Sequence, residues 1–289
     1  MKAGRMGERL WALRLVAGHS MQRMALIAGG AASALLPPSV HRRVVERGFC
    51  LLAPSLQPHR YHRVVRALQA RGMNDATAPQ AAARYLARDW LRKFRLRVYR
   101  KQPLAALRHH LRAIQWHDPK GLWAAAAGRR RVVCILPSGD LELAIAAVLD
   151  RPGAPMQFFL NSSYAEHSAE HAVLRGLQRH GRLLETGGTK QRGQAWRSLR
   201  RGATVICILD PADLAASVPE REAGPVRLAK LAGVPMLLLG HRYDSSDAGT
   251  LHVLGEFGGK SATLSAQCLR ESAHSFIAAA PLDWHHLDR

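Results

Sequence analysis

Cysteine is scarce, with four residues at 50, 134, 207 and 268 in a chain of 289, and no two of them form a CxxC pair. That spacing excludes a zinc ribbon, a thioredoxin-like site and a disulfide scaffold, and it fits reduced thiols in a cytoplasm-facing protein. Glycine (24) and proline (15) are too few for a collagen-like or low-complexity chain. No helix-turn-helix, RNA-recognition or zinc signature is present, so only charge argues for nucleic acid, and no nucleic-acid partner is expected. A long apolar run is also missing. The uncharged stretch Met24–Val40 has 17 residues. As a helix it would reach about 26 Å, short of the roughly 30 Å hydrocarbon core. Gly29–Gly30 and Pro37–Pro38 shorten it further. With Arg14, Arg23, Arg42 and Arg43 on its flanks, residues 1–40 are expected to form an anchor in the membrane interface rather than a spanning helix. A signal peptide fits less well, because 23 residues precede the apolar stretch and both flanks are basic.

Acidic residues are what the first half lacks. Residues 1–131 hold 26 Lys+Arg against 5 Asp+Glu, whereas residues 132–289 hold 16 of each. The whole excess of +21 therefore lies in one half. Such a field attracts an anionic bilayer surface or an acidic protein. The ratio of 35 Arg to 7 Lys reflects GC-rich coding in part, but coding bias does not explain the asymmetry. With 47% hydrophobic and 22% charged residues the chain is too apolar to be disordered and long enough to bury a core.

Residues 41–130 have a helical rhythm, jointed at Pro54, Pro58, Gly72, Pro103 and Pro119. In Ala81–Lys101, Tyr85, Trp90, Phe94 and Val98 recur at helical steps among Arg88, Arg92, Arg95 and Arg97. The pattern predicts a basic amphipathic helix. Either its arginines are a solvated face, or they form a membrane- or partner-docking surface. From Arg131 the rhythm changes to strands at Arg131–Leu136, Met156–Leu160, Arg182–Glu185, Ala203–Leu209, Val234–Gly240 and Thr250–Glu256, with helices between them. The expected fold is α/β: a mostly parallel sheet of about six strands covered by helices on both faces. The expected divisions are an anchor over 1–40, a basic helical region over 41–130 and an α/β core over 131–289, or one domain from residue 40 onward.

In an open α/β sheet, sites lie beyond the carboxyl ends of the strands. Two such ends carry polar residues, Pro137-Ser-Gly-Asp-Leu-Glu142 and Asp210-Pro-Ala-Asp213. Around these blocks the sequence resembles the bacterial lipid A late acyltransferases (lauroyl and myristoyl transferases) of the lysophospholipid acyltransferase superfamily. The likeness runs from Leu10 to Arg289 through Gly48–Pro54, Pro137–Leu143, Leu174–Gly181, Ser198–Asp210, Ala223–Pro235 and the tail Pro281-Leu-Asp-Trp284. It implies acyl transfer from an acyl-carrier-protein or coenzyme A thioester to a glycolipid or other lipid-like acceptor. The thioester is then a co-substrate and no cofactor is needed. It further implies the cytoplasmic face of the inner membrane, and a substrate site at Gly139, Arg175, Arg179 and Asp210.

The departures fall on the chemistry. The family's His-x4-Glu/Asp motif supplies a general base and the acid that orients it. Here Pro137 stands at the His position and Glu142 has no imidazole to orient. Asp140 and Glu142 are candidate replacement carboxylates, and Ser138 a candidate nucleophile without an assigned base. Carboxylates in the first turn of a helix are stabilised as anions, which makes them weak bases. No metal is expected, since His167 and His171 lack further ligands. Two readings follow: a transferase with altered catalytic residues, or a degenerate member that binds lipid or a partner.

Overall fold

The computed structural model describes residues 38–101, 104–125, 129–151, 154–155, 157–161, 183–187, 192–214, 223–243, 248–258 and 266–287. The anchor expected over residues 1–40 lies outside the described residues except for its last three, as do His167, His171, Arg175 and Arg179 altogether. Among the described residues, no helix is long and apolar enough to cross a membrane. The chain divides into two compact units, the first ending at Val98 and the second beginning at Tyr99. That boundary falls inside a helix and not at residue 130, so the chain turns from basic to neutral some thirty residues after its contacts change over.

The first unit is helical, with α1 (Pro38–Leu56), α2 (Pro58–Gln69) and α3 (Ala78–Lys101). Pro58 opens α2, where its fixed φ suits a first turn and its missing N–H has no partner to lose. Asn74 ends the next turn by accepting from the Thr77 N–H at 2.8 Å, just ahead of α3. The buried stripe of α3 contains Ala78, Ala82, Leu86 and Trp90, and small side chains in it allow helices to approach closely.

Beside this apolar stripe lies a partly buried charge network. Asp89 lies 2.6 Å from Arg60, 2.9 Å from Lys93 and 3.3 Å from Arg92. Burial alone would raise its carboxyl, but Lys93, Arg60 and Arg92 outweigh burial and hold it well below the usual carboxylate range. A depressed folded pKa gives stability that is complete above the unfolded value, about 3.9, and is lost as pH falls through the folded value. Asp89→Asn is expected to cost about 2 kcal/mol at neutral pH. The gap from the parent should start to narrow as pH falls through about 4 and go on shrinking at lower pH. A urea midpoint unchanged at pH 7 would contradict this.

The second unit is a mixed α/β domain. Its strands are β1 (Gln115–His117), β2 (Val132–Ile135), β3 (Gln157–Asn161), β4 (Leu183–Gly187), β5 (Thr204–Ile208), β6 (Met236–Arg242) and β7 (Thr250–Phe257). They form one sheet in the order β1-β7-β6-β2-β5-β3-β4. The five strands from β6 to β4 run parallel, β7 is antiparallel to β6, and β1 is parallel to β7 at the edge. The described helices of this unit are α4 (Leu104–Ala113), α5 (Leu122–Ala125), α6 (Leu141–Asp150), α7 (Arg192–Arg200), α8 (Pro211–Leu214), α9 (Gly224–Ala232) and α10 (Ala266–Ala279).

All four residues of β2 are fully buried, so both faces of the sheet are covered there. Val133, Ile135, Ile206, Leu237 and Leu239 share one core with α6 and with Leu107 and Leu111 of α4. The alternate residues, Val132, Cys134, Val205 and Cys207, point the other way. On that side α9 meets β2 and β6, and α7 meets β3 and β5. The sheet has one strand more than the sequence predicts, because three-residue β1 is too short to display a period. The final helix, α10, was also not anticipated.

Thiol chemistry follows from this packing. Cys134 and Cys207 are in register on β2 and β5; burial pushes the Cys134 thiol well up and that of Cys207 up to about 12. Cys50 is half-buried and raised, chiefly by burial and then by Glu46, while Cys268 is exposed. A maleimide should therefore label Cys268 first, Cys50 slowly, and the strand pair only after unfolding. Rapid labelling of Cys134 in the native protein would contradict the sheet order.

Candidate functional site

The turn after β2 is built from three unrelated parts of the chain. Leaving the strand, the backbone passes Pro137 and Ser138 and reverses at Gly139, which has φ +58°. It then enters α6 at Asp140, whose carboxylate Oδ1 accepts the Leu143 N–H at 3.1 Å. That is an N-cap, with the acid satisfying one of the orphan donors of the first turn. Gly139 is required twice over. A Cβ there would lie 2.2 Å from His241 Nδ1 and 2.7 Å from the His241 carbonyl, besides adopting a left-handed φ.

His241, near the carboxyl end of β6, is the second part. The Asp140 N–H donates to its Nδ1 at 3.0 Å, and its Nε2 meets the Ala248 carbonyl at 2.8 Å. A backbone N–H can only donate and a carbonyl can only accept, so the ring is neutral with its proton on Nε2. The His241 N–H donates to Ser138 Oγ at 3.2 Å. Gly249, at φ +74°, presses on the other side of the ring, where a Cβ would come within 2.6 Å of Cε1.

The third part is the C-terminal tail. Ser138 and Trp284 form an isolated antiparallel bridge. The Gly139 N–H donates to the Asp283 carbonyl at 2.8 Å and the His285 N–H to the Pro137 carbonyl at 3.0 Å. His285 Nε2 donates to the Gly139 carbonyl at 2.7 Å, and Asp283 Oδ2 accepts the Tyr243 N–H at 3.1 Å. Trp284 and Asp283 are buried over the turn.

The sequence candidates thus meet at one sheet edge, but in different states. Ser138, Asp140 and Glu142 are 2%, 0% and 1% exposed. Ser138 Oγ accepts from His241 and lies 3.5 Å from the Leu136 carbonyl, so the hydroxyl is engaged. Asp210 ends the neighbouring strand β5 and is exposed; its Oδ1 accepts the Ala212 N–H at 2.9 Å and starts α8. Pro137 offers no titratable group. A general base needs a lone pair within reach of the substrate proton. In this fold both nitrogens of His241 are committed to backbone partners and one Asp140 oxygen is committed to a cap. The turn is a clasp between β2, β6 and the tail. His241, Asp283 and His285 were missed because the sequence shows only a His at a strand end and a short polar tail, and their convergence is tertiary.

The basic face needs correction. Arg88 and Arg92 are half-buried and face Glu46 (3.9 Å) and Asp89, and Arg95 is half-buried too. The Arg97 side chain lies outside the described set. Arg88 and Arg92 are thus not a free docking surface, because α3 uses them for pairing within the helical unit. Among the described side chains of that unit, the exposed cations are Arg47, Arg63, Arg66, Arg71, Arg84 and Lys93. Beside Arg47 on α1, Leu51 is 82% and Leu52 49% exposed. Positions 47, 48, 51, 52 and 55 are all exposed and recur at steps of one helical turn, so they form a stripe. Compared with known proteins, the chain matches no family model and no curated protein.

Proposed function

We propose that this chain is a lipid A late acyltransferase-like protein without transfer activity, serving as a lipid-binding or partner subunit on the cytoplasmic face of the inner membrane. The observation that carries the reading is the closed turn: Pro137 in the base position under the C-terminal tail, with Ser138, Asp140 and Glu142 all buried. A carboxylate that cannot meet substrate cannot take its proton. The anionic bilayer is the partner favoured by the exposed arginines and by the Leu51–Leu52 stripe, which carries Arg47 beside its apolar area.

A second reading keeps acyl transfer from an acyl-carrier-protein or coenzyme A thioester to a lipid-like acceptor. It is favoured by the imidazole of His241, which reaches the same turn from β6 where the family's would come from β2. Transfer by this route requires the tail to leave the turn.

Vesicle partitioning tests the membrane part. Each basic residue near an anionic surface contributes about 1 kcal/mol, screened by salt. Binding to phosphatidylglycerol-containing vesicles should fall at least about tenfold when Arg47, Arg63 and Arg66 become Glu. It should also fall with Leu51→Glu, which removes apolar insertion. Equal partitioning of parent and variants, or binding to neutral vesicles alone, would sink the proposal.

A further inference from the structure

At the opposite edge of the sheet, where β2 and β5 begin, a second polar cluster lies inside the core. Arg131 precedes β2, is 0% exposed, and has its guanidinium 4.1 Å above the ring of Trp123 on α5. Its one hydrogen bond among the described residues goes from Nη1 to the Trp123 carbonyl at 3.2 Å. Arg131 Nε and Nη2, Trp123 Nε1 and Thr204 Oγ1 are all buried with no hydrogen-bond partner among the described residues. The parallel register of Val132 with Val205 sets Arg131 beside Thr204, on the face that also carries Val133 and Ile206. Trp123 packs into the core on that face. Burial draws the Arg131 guanidinium down to about 10, with Glu256 pulling it the other way.

Buried polar groups are almost always satisfied, and a buried cation above all. What distinguishes this cluster is its sign. Three of the four atoms carry hydrogens and can only donate, the fourth is a hydroxyl that can donate, and the group holds a full positive charge. A water molecule accepts about two hydrogen bonds and must place two hydrogens of its own. An anion accepts from every donor and places none. The half-buried Glu256 already contributes negative potential, which disfavours a doubly charged ion. We infer that Arg131, Trp123 and Thr204 form an internal binding site for a small monovalent anion of halide or formate size, at the end of the sheet remote from the Pro137–Glu142 turn.

The site is tested on the full chain with sodium bromide as the probe. At constant ionic strength, replacing gluconate by bromide up to about 0.2 M should raise the thermal midpoint along a saturating curve, because an ion that binds only the folded state stabilises it by mass action. Thr204→Val and Trp123→Phe, which keep shape and ring, should each raise the half-saturating bromide concentration about tenfold or more, the worth of one hydrogen bond to an anion. Arg131→Met should abolish saturation. Should that variant fail to fold, crystals of the parent grown in bromide decide: an anomalous peak within hydrogen-bond range of Arg131 supports the site. Ordered water there without such a peak would overturn it, as would a midpoint that responds to bromide identically in parent, Thr204→Val and Trp123→Phe.

Discussion

Gly139→Ala should be among the most damaging single-methyl additions this protein can receive, lowering stability by about 2–4 kcal/mol. Two costs add. An alanine at φ +58° pays about 1 kcal/mol for the left-handed backbone. The new methyl then meets His241 Nδ1 and the His241 carbonyl at separations no real Cβ adopts, adding about 1–3 kcal/mol of overpacking. The ring cannot swing aside, since both its nitrogens are hydrogen-bonded and Gly249 backs it. The carbonyl belongs to strand β6 and cannot move without the ladder. Equilibrium urea unfolding measures the loss directly. A loss below about 1 kcal/mol would mean that the turn and β6 do not touch as described.

His241→Leu should cost about as much for a different reason. It fills similar space but leaves the Asp140 N–H without an acceptor and the Ala248 carbonyl without a donor, both inside the fold. Each unsatisfied buried group costs about 1–3 kcal/mol, so the sum is about 3 kcal/mol. His241→Gln, which offers both an acceptor and a donor, should recover part of it. Native-state hydrogen exchange adds a readout that general destabilisation does not reproduce. The Asp140 amide should lose protection in His241→Leu more than the amides in the middle of β5 do. Uniform loss across both sites would reduce His241 to an ordinary core residue. Because Gly139 and His241 share one contact, Gly139→Ala combined with His241→Ala should fall short of additivity by about 1 kcal/mol.

The strands were legible in the sequence where several apolar residues stand together. Val132–Ile135, Thr204–Ile208 and Met236–Leu239 are runs without a charge, as buried parallel strands require. Edge strand β1 was not legible, because Gln-Trp-His has no pattern and owes its place to pairing with β7. The position of the turn could be read from Ser138-Gly139-Asp140 between a strand and a helix. Its state could not. Whether the turn is open or closed depends on a tail some 140 residues away in sequence and on a histidine delivered by another strand. The arginines of α3 teach the same lesson. Their periodicity was plain, but Asp89, Glu46 and Arg60 turn part of that charged face into an internal network.

The turn at the end of β2 is proposed to be a structural clasp which transfers nothing. A single-turnover assay tests it most directly, with labelled acyl thioesters of acyl carrier protein and of coenzyme A and a bacterial lipid extract as acceptor. A positioned general base contributes a factor of roughly 10² to 10⁴. Restoring one by Pro137→His should therefore reveal a dormant site if substrate can reach it. No transfer is expected from the parent and none from Pro137→His, because residue 137 is buried beneath the tail. Labelled lipid formed by the parent above the enzyme-free rate, or by Pro137→His while the parent stays silent, would contradict it.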